Sequence, residues 1–356
     1  MSAVPALPPD GARRRRSRRL WLAVAVLGVA SAALGLRRVE RPTAPLLPIP
    51  RASGQPGPLG LPADARVLVF AAHPDDETVA LGGVIYRLAH AGTRVGVVFV
   101  TNGDGYERAA EEEFNLRKPT DDDYVALGEL RQQEAVAATR HLGLRPQDVH
   151  FLGFPDGGLA ELWRAHWLRT QPYTSPYTRE ESPPYPGAVN PDADYDGMDL
   201  TSVIARVLED FRPTVVVIPH PYDRHPDHVH TTYFVTEAVQ HLQGRGVLSP
   251  TLTVLTYLVH FPSWPAKRGP LFDRFLPIAG LPDSTWVDTE LTPEELTAKR
   301  AALEEYGSQL EVMNGFLRSF LCRNEILATL DADVLSASRP CTETAGRFFA
   351  DRWRDR

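Results

Sequence analysis

Apolar and polar positions along this chain change period in blocks, and the blocks read as alternating strands and helices. Arg66–Ala71 is a continuous apolar run, the pattern of a strand buried on both faces of a parallel sheet. Residues 77–91 space their apolar positions helically, at Val79, Tyr86 and Leu88 with Gly83 among them, and stop at the C-cap glycine Gly92. Arg94–Thr101 is a second strand-like run, closed by the turn Asn102-Gly103-Asp104-Gly105. Further on, helices are predicted over 124–142 (ended by Gly143), 200–211, 228–242 and 293–306. Strands are predicted over 148–152, 215–218 and 251–259, and the chain closes in a less regular tail. Strands and helices in this alternation imply right-handed crossovers. The expected fold is therefore α/β: a Rossmann-like, mostly parallel, doubly wound sheet with helices on both faces.

Two stretches break the rhythm. Residues 155–191 are rich in Pro, Tyr and Trp, and an irregular segment of that length inside a domain is usually functional or disordered. Its aromatics, Trp163, Trp167, Tyr173, Tyr177 and Tyr185, suit stacking on sugar rings; equally, they read as exposed side chains of a mobile insertion. Proline and aromatics dominate again over 262–288.

Composition adds an address. The 356 residues, 43% hydrophobic and 23% charged, are ordinary for a globular chain. The net charge of −7 hides an asymmetry, because residues 1–38 carry +7 and leave −14 for the remainder. A body that acidic argues against a nucleic-acid partner, which needs a cationic footprint. The cluster Arg13-Arg14-Arg15-Arg16-Ser17-Arg18-Arg19 precedes an uncharged run over 20–36, at the short limit for spanning a bilayer. Kept on the cytoplasmic side, those arginines would send the rest of the chain across. Ser17-Arg18-Arg19-Leu20-Trp21-Leu22 also resembles a twin-arginine export signal, and Ala30-Ser31-Ala32 offers small residues for cleavage. The expected organisation is a signal or membrane anchor over 1–38, a Pro/Gly-rich linker over 39–62, a catalytic domain over 63–330 with an insertion at about 155–195, and a tail over 331–356. The protein would be anchored facing outward, or secreted. Cys322 and Cys341 allow one disulfide closing a C-terminal loop, or are two unrelated buried thiols; neither belongs to a C-x-x-C pair.

The chemistry concentrates in two clusters, His73-Pro74-Asp75-Asp76-Glu77 and His225-Pro226-Asp227-His228. Each comes after a predicted strand, and open α/β sheets bind ligands just outside the carboxyl ends of their strands. Catalytic zinc takes three protein ligands from imidazole and carboxylate, and lowers the pKa of its water to roughly 7. His73, Asp76 and His228 make such a set, one that iron(II) suits as readily. Asp75, between two ligands in sequence, is the candidate base. His225 would face the site without ligating and, once protonated, stabilise an oxyanion or serve a leaving amine; Asp227 would orient and charge it. His220 reads as a supporting group or a structural one, and His230 as a supporting group or helix surface. His90, His141, His150, His166, His241 and His260 read as ordinary core-edge or surface residues.

Together the two histidine motifs resemble the LmbE-like (PIG-L) zinc-dependent de-N-acetylases. The similarity runs through Thr101-Asn102-Gly103-Asp104, the helix with Arg131 and Glu134, Phe151-Leu152-Gly153-Phe154-Pro155-Asp156-Gly157, and Lys299 to Gln309 with Tyr306 and Ser308. It leaves out the N-terminus and the 155–191 insertion. By that resemblance His73, Asp76 and His228 carry over as zinc ligands, Asp75 as general base, and His225 as the acid-side histidine backed by Asp227. Some members place a mobile tyrosine two residues before the acid-side histidine; here Asp223 stands there, with Tyr222 adjacent. Arg131, Tyr222 and Asn102 are the candidate substrate contacts, with Arg131 equally readable as a partner of Glu134. The resemblance implies a metal-dependent hydrolase that removes an N-acetyl group from an amino-sugar-containing glycan or glycolipid. The rival readings are a metal hydrolase of another amide or ester, and a non-catalytic exported carbohydrate-binding protein.

Overall fold

Buried β-branched runs pair side by side because their backbone groups have no water to bond. The computed structural model describes residues 61–330 apart from 62–63, 169, 266–267 and 282–283. Its strands are β1 (Arg66–Ala71), β2 (Arg94–Thr101), β3 (Val149–Phe154), β4 (Val215–Pro219), β5 (Thr253–Tyr257), β6 (Trp286–Glu290) and β7 (Asn324–Thr329). They form one sheet in the order β3-β2-β1-β4-β5-β7-β6. The first five are parallel, while β7 runs antiparallel to both β5 and β6. The mostly parallel, doubly wound sheet expected from the sequence is present. Its antiparallel edge is an addition, drawn from 286–290 and 324–329, where no period announced a strand.

The helices are α1 (Asp76–His90), α2 (Glu107–Glu113), α3 (Asp121–His141), α4 (Leu159–Arg164), α5 (Gly197–Phe211), α6 (Pro226–Gly244), α7 (Pro293–Glu304) and α8 (Gly307–Leu317). Local chemistry sets several starts. Thr120 and Asp123 form a reciprocal cap on α3, and Thr292 and Glu295 do the same for α7, whose first residue is Pro293. Val67, Val69 and Ala71 of β1 share a core with Val79, Ile85 and Leu88 of α1 and with Ala135 and Ala138 of α3. Leu68 and Phe70, which point to the opposite face, are also fully buried, so the sheet is covered on both sides.

The insertion expected to be irregular contains α4 and is fastened to the sheet edge. Ala188 bridges Phe151, and Val189 N–H donates to Phe151 O at 2.9 Å. Trp163, Trp167 and Tyr185 are buried, which corrects their reading as sugar platforms or exposed aromatics. Trp163 packs on Trp167, Tyr233 and Phe234, because an indole gains most by leaving water. Tyr173 and Tyr177 are half-buried. Among the described residues no helix is long and apolar enough to cross a membrane; the signal or anchor, the linker apart from the buried Leu61, the tail and Cys341 lie outside those residues. Cys322 is buried, its thiol donating to Ser319 O.

Candidate active site

The strand order turns at β1 and β4, adjacent parallel strands whose helices leave in opposite directions. A crevice opens at the carboxyl ends of such a pair. The two histidine motifs follow these two strands, and the fold brings them together. His73 Nδ1 lies 3.4 Å and His228 Nε2 3.1 Å from the same Asp76 oxygen. Asp76 opens α1, and that oxygen also accepts His73 N–H at 2.9 Å. The ring centroids of His73 and His225 are 4.6 Å apart, and those of His225 and His228 5.3 Å.

Asp75 is buried with φ +127°, a left-handed conformation that a non-glycine residue adopts only when its surroundings impose it. Its backbone N–H donates to Glu77 Oε2 at 3.3 Å, and its carbonyl accepts Val79 N–H at 2.8 Å. Glu77 is buried too and accepts the Tyr306 hydroxyl at 2.6 Å. Arg131 completes the clamp: Nη2 donates to Pro74 O at 2.6 Å and to Asp75 Oδ2 at 3.3 Å, and Nη1 donates to Gly103 O at 2.8 Å. Gly103 has φ +62°, and a Cβ there would sit 1.8 Å from Arg131 Nη1. Burial pushes the Asp75 carboxyl up to about 8, against the pull of Arg131.

Electrostatics around the motifs is dense. Burial alone would raise Asp76, but His228 and then His73 hold it well below the usual carboxylate range. Burial pulls His228 down, yet Asp76 and Asp223 bring it up to about 10. His225 is lowered to about 4 by burial and by His73 and His228. Its Nδ1 accepts Asp227 N–H at 3.3 Å and caps α6, so the neutral ring carries its proton on Nε2.

The other candidates take these partners. The Asp227 backbone N–H orients His225 and its charge favours a proton there, but its carboxylate bonds elsewhere: it accepts Gly157 N–H at 2.7 Å and Leu159 N–H at 3.2 Å, and lies 3.4 Å from His73 Nε2. Two orphan amides at the start of α4 capture it. Arg131 is buried and turned onto the loops, and Glu134 accepts Ser308 N–H and Oγ–H, each at 2.7 Å, in place of Arg131. Asn102 is fully buried at the end of β2. Tyr222 faces solvent, 37% exposed, with its ring against His220. His220 Nε2 pairs with Ser284 Oγ at 3.0 Å, and His230 Nδ1 with Pro226 O at 2.7 Å.

Three groups without an assigned role also line the site. Asp156, after β3, lies 3.1 Å from His73 Nε2. Asp223 Oδ2 accepts Val259 N–H at 3.1 Å and His260 N–H at 3.0 Å, and sits 3.3 Å from His228 Nδ1; its Oδ1 accepts His225 N–H at 2.8 Å. His260, just past β5, has its ring centroid 4.9 Å from that of His228. All three follow parallel strands at the same sheet edge, and that position was the signal.

The donor set fits a divalent ion. His73, His225 and His228 offer nitrogens within 4.8 Å of one another, as do Asp76, His228 and His260 through one ligand atom each. Both His228 nitrogens are buried without an aligned hydrogen bond, although carboxylate oxygens lie at 3.1 and 3.3 Å. Such atoms are costly unless one nitrogen ligates a cation and the other donates its N–H to a carboxylate, as Asp223 allows.

Residues 68–239 match the family model described as PIG-L, GlcNAc-PI de-N-acetylase. A 1D-myo-inositol 2-acetamido-2-deoxy-alpha-D-glucopyranoside deacetylase of Mycobacterium sp. (strain KMS) is 34% identical over 199 residues, 54% of this chain and 56% of that protein. The chain thus spans little more than half the length of that relative. One of the same name from Nocardia farcinica (strain IFM 10152) is 31% identical over 271 residues, 70% of this chain and 82% of that protein. Among solved structures, the N,N'-diacetylchitobiose deacetylase from Pyrococcus horikoshii is similar at 17% identity and TM-score 0.47, over 75% of this chain and 84% of that one.

Proposed function

Since the chain belongs to the PIG-L family, we propose that it is a metal-dependent hydrolase that removes the acetyl group from an N-acetylated amino sugar. The observation that carries this reading is the meeting of His73, Asp75, Asp76, His225 and His228 at the switch point of the sheet. A divalent ion, zinc or iron(II), held by His73, Asp76 and His228 would supply Lewis-acid polarisation of the amide carbonyl and acidify water. Asp75, pinned by Arg131, accepts a proton from the attacking water, whose oxygen bonds to the acetyl carbon. When the C–N bond breaks, that proton passes to the sugar nitrogen, leaving a free amine and acetic acid. His225 Nε2–H donates a hydrogen bond to the charge developing on the carbonyl oxygen. Arg131 and Glu77 are positioning residues that hold the Asp75 loop.

The deacetylase names of the relatives support an amino-sugar substrate, and the arginine cluster followed by an uncharged run over 20–36 supports one outside the cytoplasm. The purified chain, incubated with a panel of N-acetylglucosamine glycans and glycolipids, is expected to release acetate with zinc and not with chelator. His73→Ala should lose metal and turnover together. A folded, metal-loaded chain that releases no acetate across the panel would overturn the reading.

A further inference from the structure

His260 read as an ordinary histidine in the sequence, yet the fold makes it part of the site. It follows β5, the strand next to β4, so its Cα stands at the same edge as the two motifs. Asp223 fixes it there. One carboxylate binds the backbone N–H of Val259, His260 and His225 and approaches the ring of His228 at 3.3 Å, so the three histidines are referred to a single anchor. Arg224 N–H donates to the His260 carbonyl at 2.7 Å, closing the connection from the other side.

The ring is equally constrained. One face stacks on Phe316 of α8, with centroids 5.3 Å apart and planes at 22°. Its edge contacts His228 at 4.9 Å, and the His225 centroid is 5.3 Å away. Among the described residues no hydrogen bond reaches a His260 ring nitrogen, and the residue is partly exposed while Asp76 and His228 beneath it are buried. An imidazole held this firmly, with a ring nitrogen within 4.8 Å of ligand atoms of Asp76 and His228 and no hydrogen bond to it among the described residues, presents its polar edge to the site.

We propose that His260 is a further catalytic residue, an imidazole N–H that joins His225 in hydrogen-bonding the carbonyl oxygen of the substrate as it becomes an oxyanion. This rests on the hydrolytic reading above. A pre-fixed donor needs no reorganisation as charge develops, which is why one such group is worth about 10²–10³ in turnover. Its nearest competing role, a fourth ligand to the ion, would fill the position that an open catalytic site keeps for water.

The test uses the full chain with His260→Ala, His260→Gln and His260→Phe, the last keeping the stack on Phe316 without a donor should alanine fail to fold. Alanine and phenylalanine should lower kcat about 10²-fold with KM nearly unchanged, and glutamine should recover part of the loss. Metal per chain and the visible spectrum of the cobalt-substituted protein should stay as in the parent. An unchanged kcat, or a changed cobalt spectrum or metal content, overturns the proposal. Acetate affinity by calorimetry separates its failure from that of the amino-sugar reading. If the parent cleaves no sugar in the panel, a roughly tenfold weaker grip on acetate in the donor-less variants still supports His260. Equal affinity, or none in any of the proteins, overturns it.

Discussion

Asp75 shows what a single position is asked to do. It is buried, strained at φ +127° and pushed up to about 8, three conditions that cost stability. Strain of that kind costs about 1–3 kcal/mol and persists only where neighbours over-determine it, as Arg131, Glu77 and the first turn of α1 do here. Asparagine has the same shape and no charge to desolvate. Asp75→Asn is therefore expected to lower kcat by about 10²–10⁴ while leaving the melting temperature equal or higher, a trade of activity for stability. Parallel measurement of acetate release and thermal unfolding checks both halves; full turnover in this variant would remove Asp75 from the chemistry.

Among elements, α1 matters most, since it carries Asp76 and its far end must hold still. Inside it, Gly83 and Val84 donate backbone N–H to Glu325 of β7 at 2.9 and 2.7 Å, and Glu325 pairs with Lys299 of α7 at 2.8 Å. All three elements meet at a fully buried ion pair. Gly82 and Gly83 permit the approach, since a Cβ there would meet Lys299 at 2.9 Å and Leu291 at 2.6 Å. Removing one partner strands a buried charge, so Glu325→Leu is expected to cost about 3–5 kcal/mol in denaturant unfolding. Adding Lys299→Met should restore much of that loss, because a neutral apolar pair carries no desolvation penalty. If the double variant is as unstable as the single, the backbone bonds to α1, and not the charge, account for the effect.

At the scale of the whole molecule, pH acts through every group whose proton affinity folding changes, and His220 is one that folding keeps neutral. His220 is lowered to about 4 by burial, with Asp223 opposing. The unfolded chain binds that proton near pH 6.5, so it takes up more protons than the folded chain between about 6.5 and 4. The His220 contribution should fall as pH drops through that window, so His220→Asn should gain stability relative to the parent between pH 7.5 and pH 5. Denaturant midpoints at pH 7.5, 6 and 5 in chelator would show it; parallel slopes for parent and variant would exclude His220. Sequence alone determined the parallel sheet, through runs such as Arg66–Ala71 and Arg94–Thr101 that only double burial explains, and it determined the two histidine motifs, because their spacing is local. Periodicity was silent on β6 and β7, antiparallel strands that owe their place to pairing with β5 and with each other. Only the tertiary structure decided where Asp227 and Arg131 spend their hydrogen bonds, that the insertion's tryptophans are core, and that Asp156, Asp223 and His260 join the site. The physical reason is the same in each case. A side chain's partner is set by which strand ends the fold makes neighbours, and residues 73, 156, 223 and 260 become neighbours only when β1, β3, β4 and β5 share one edge.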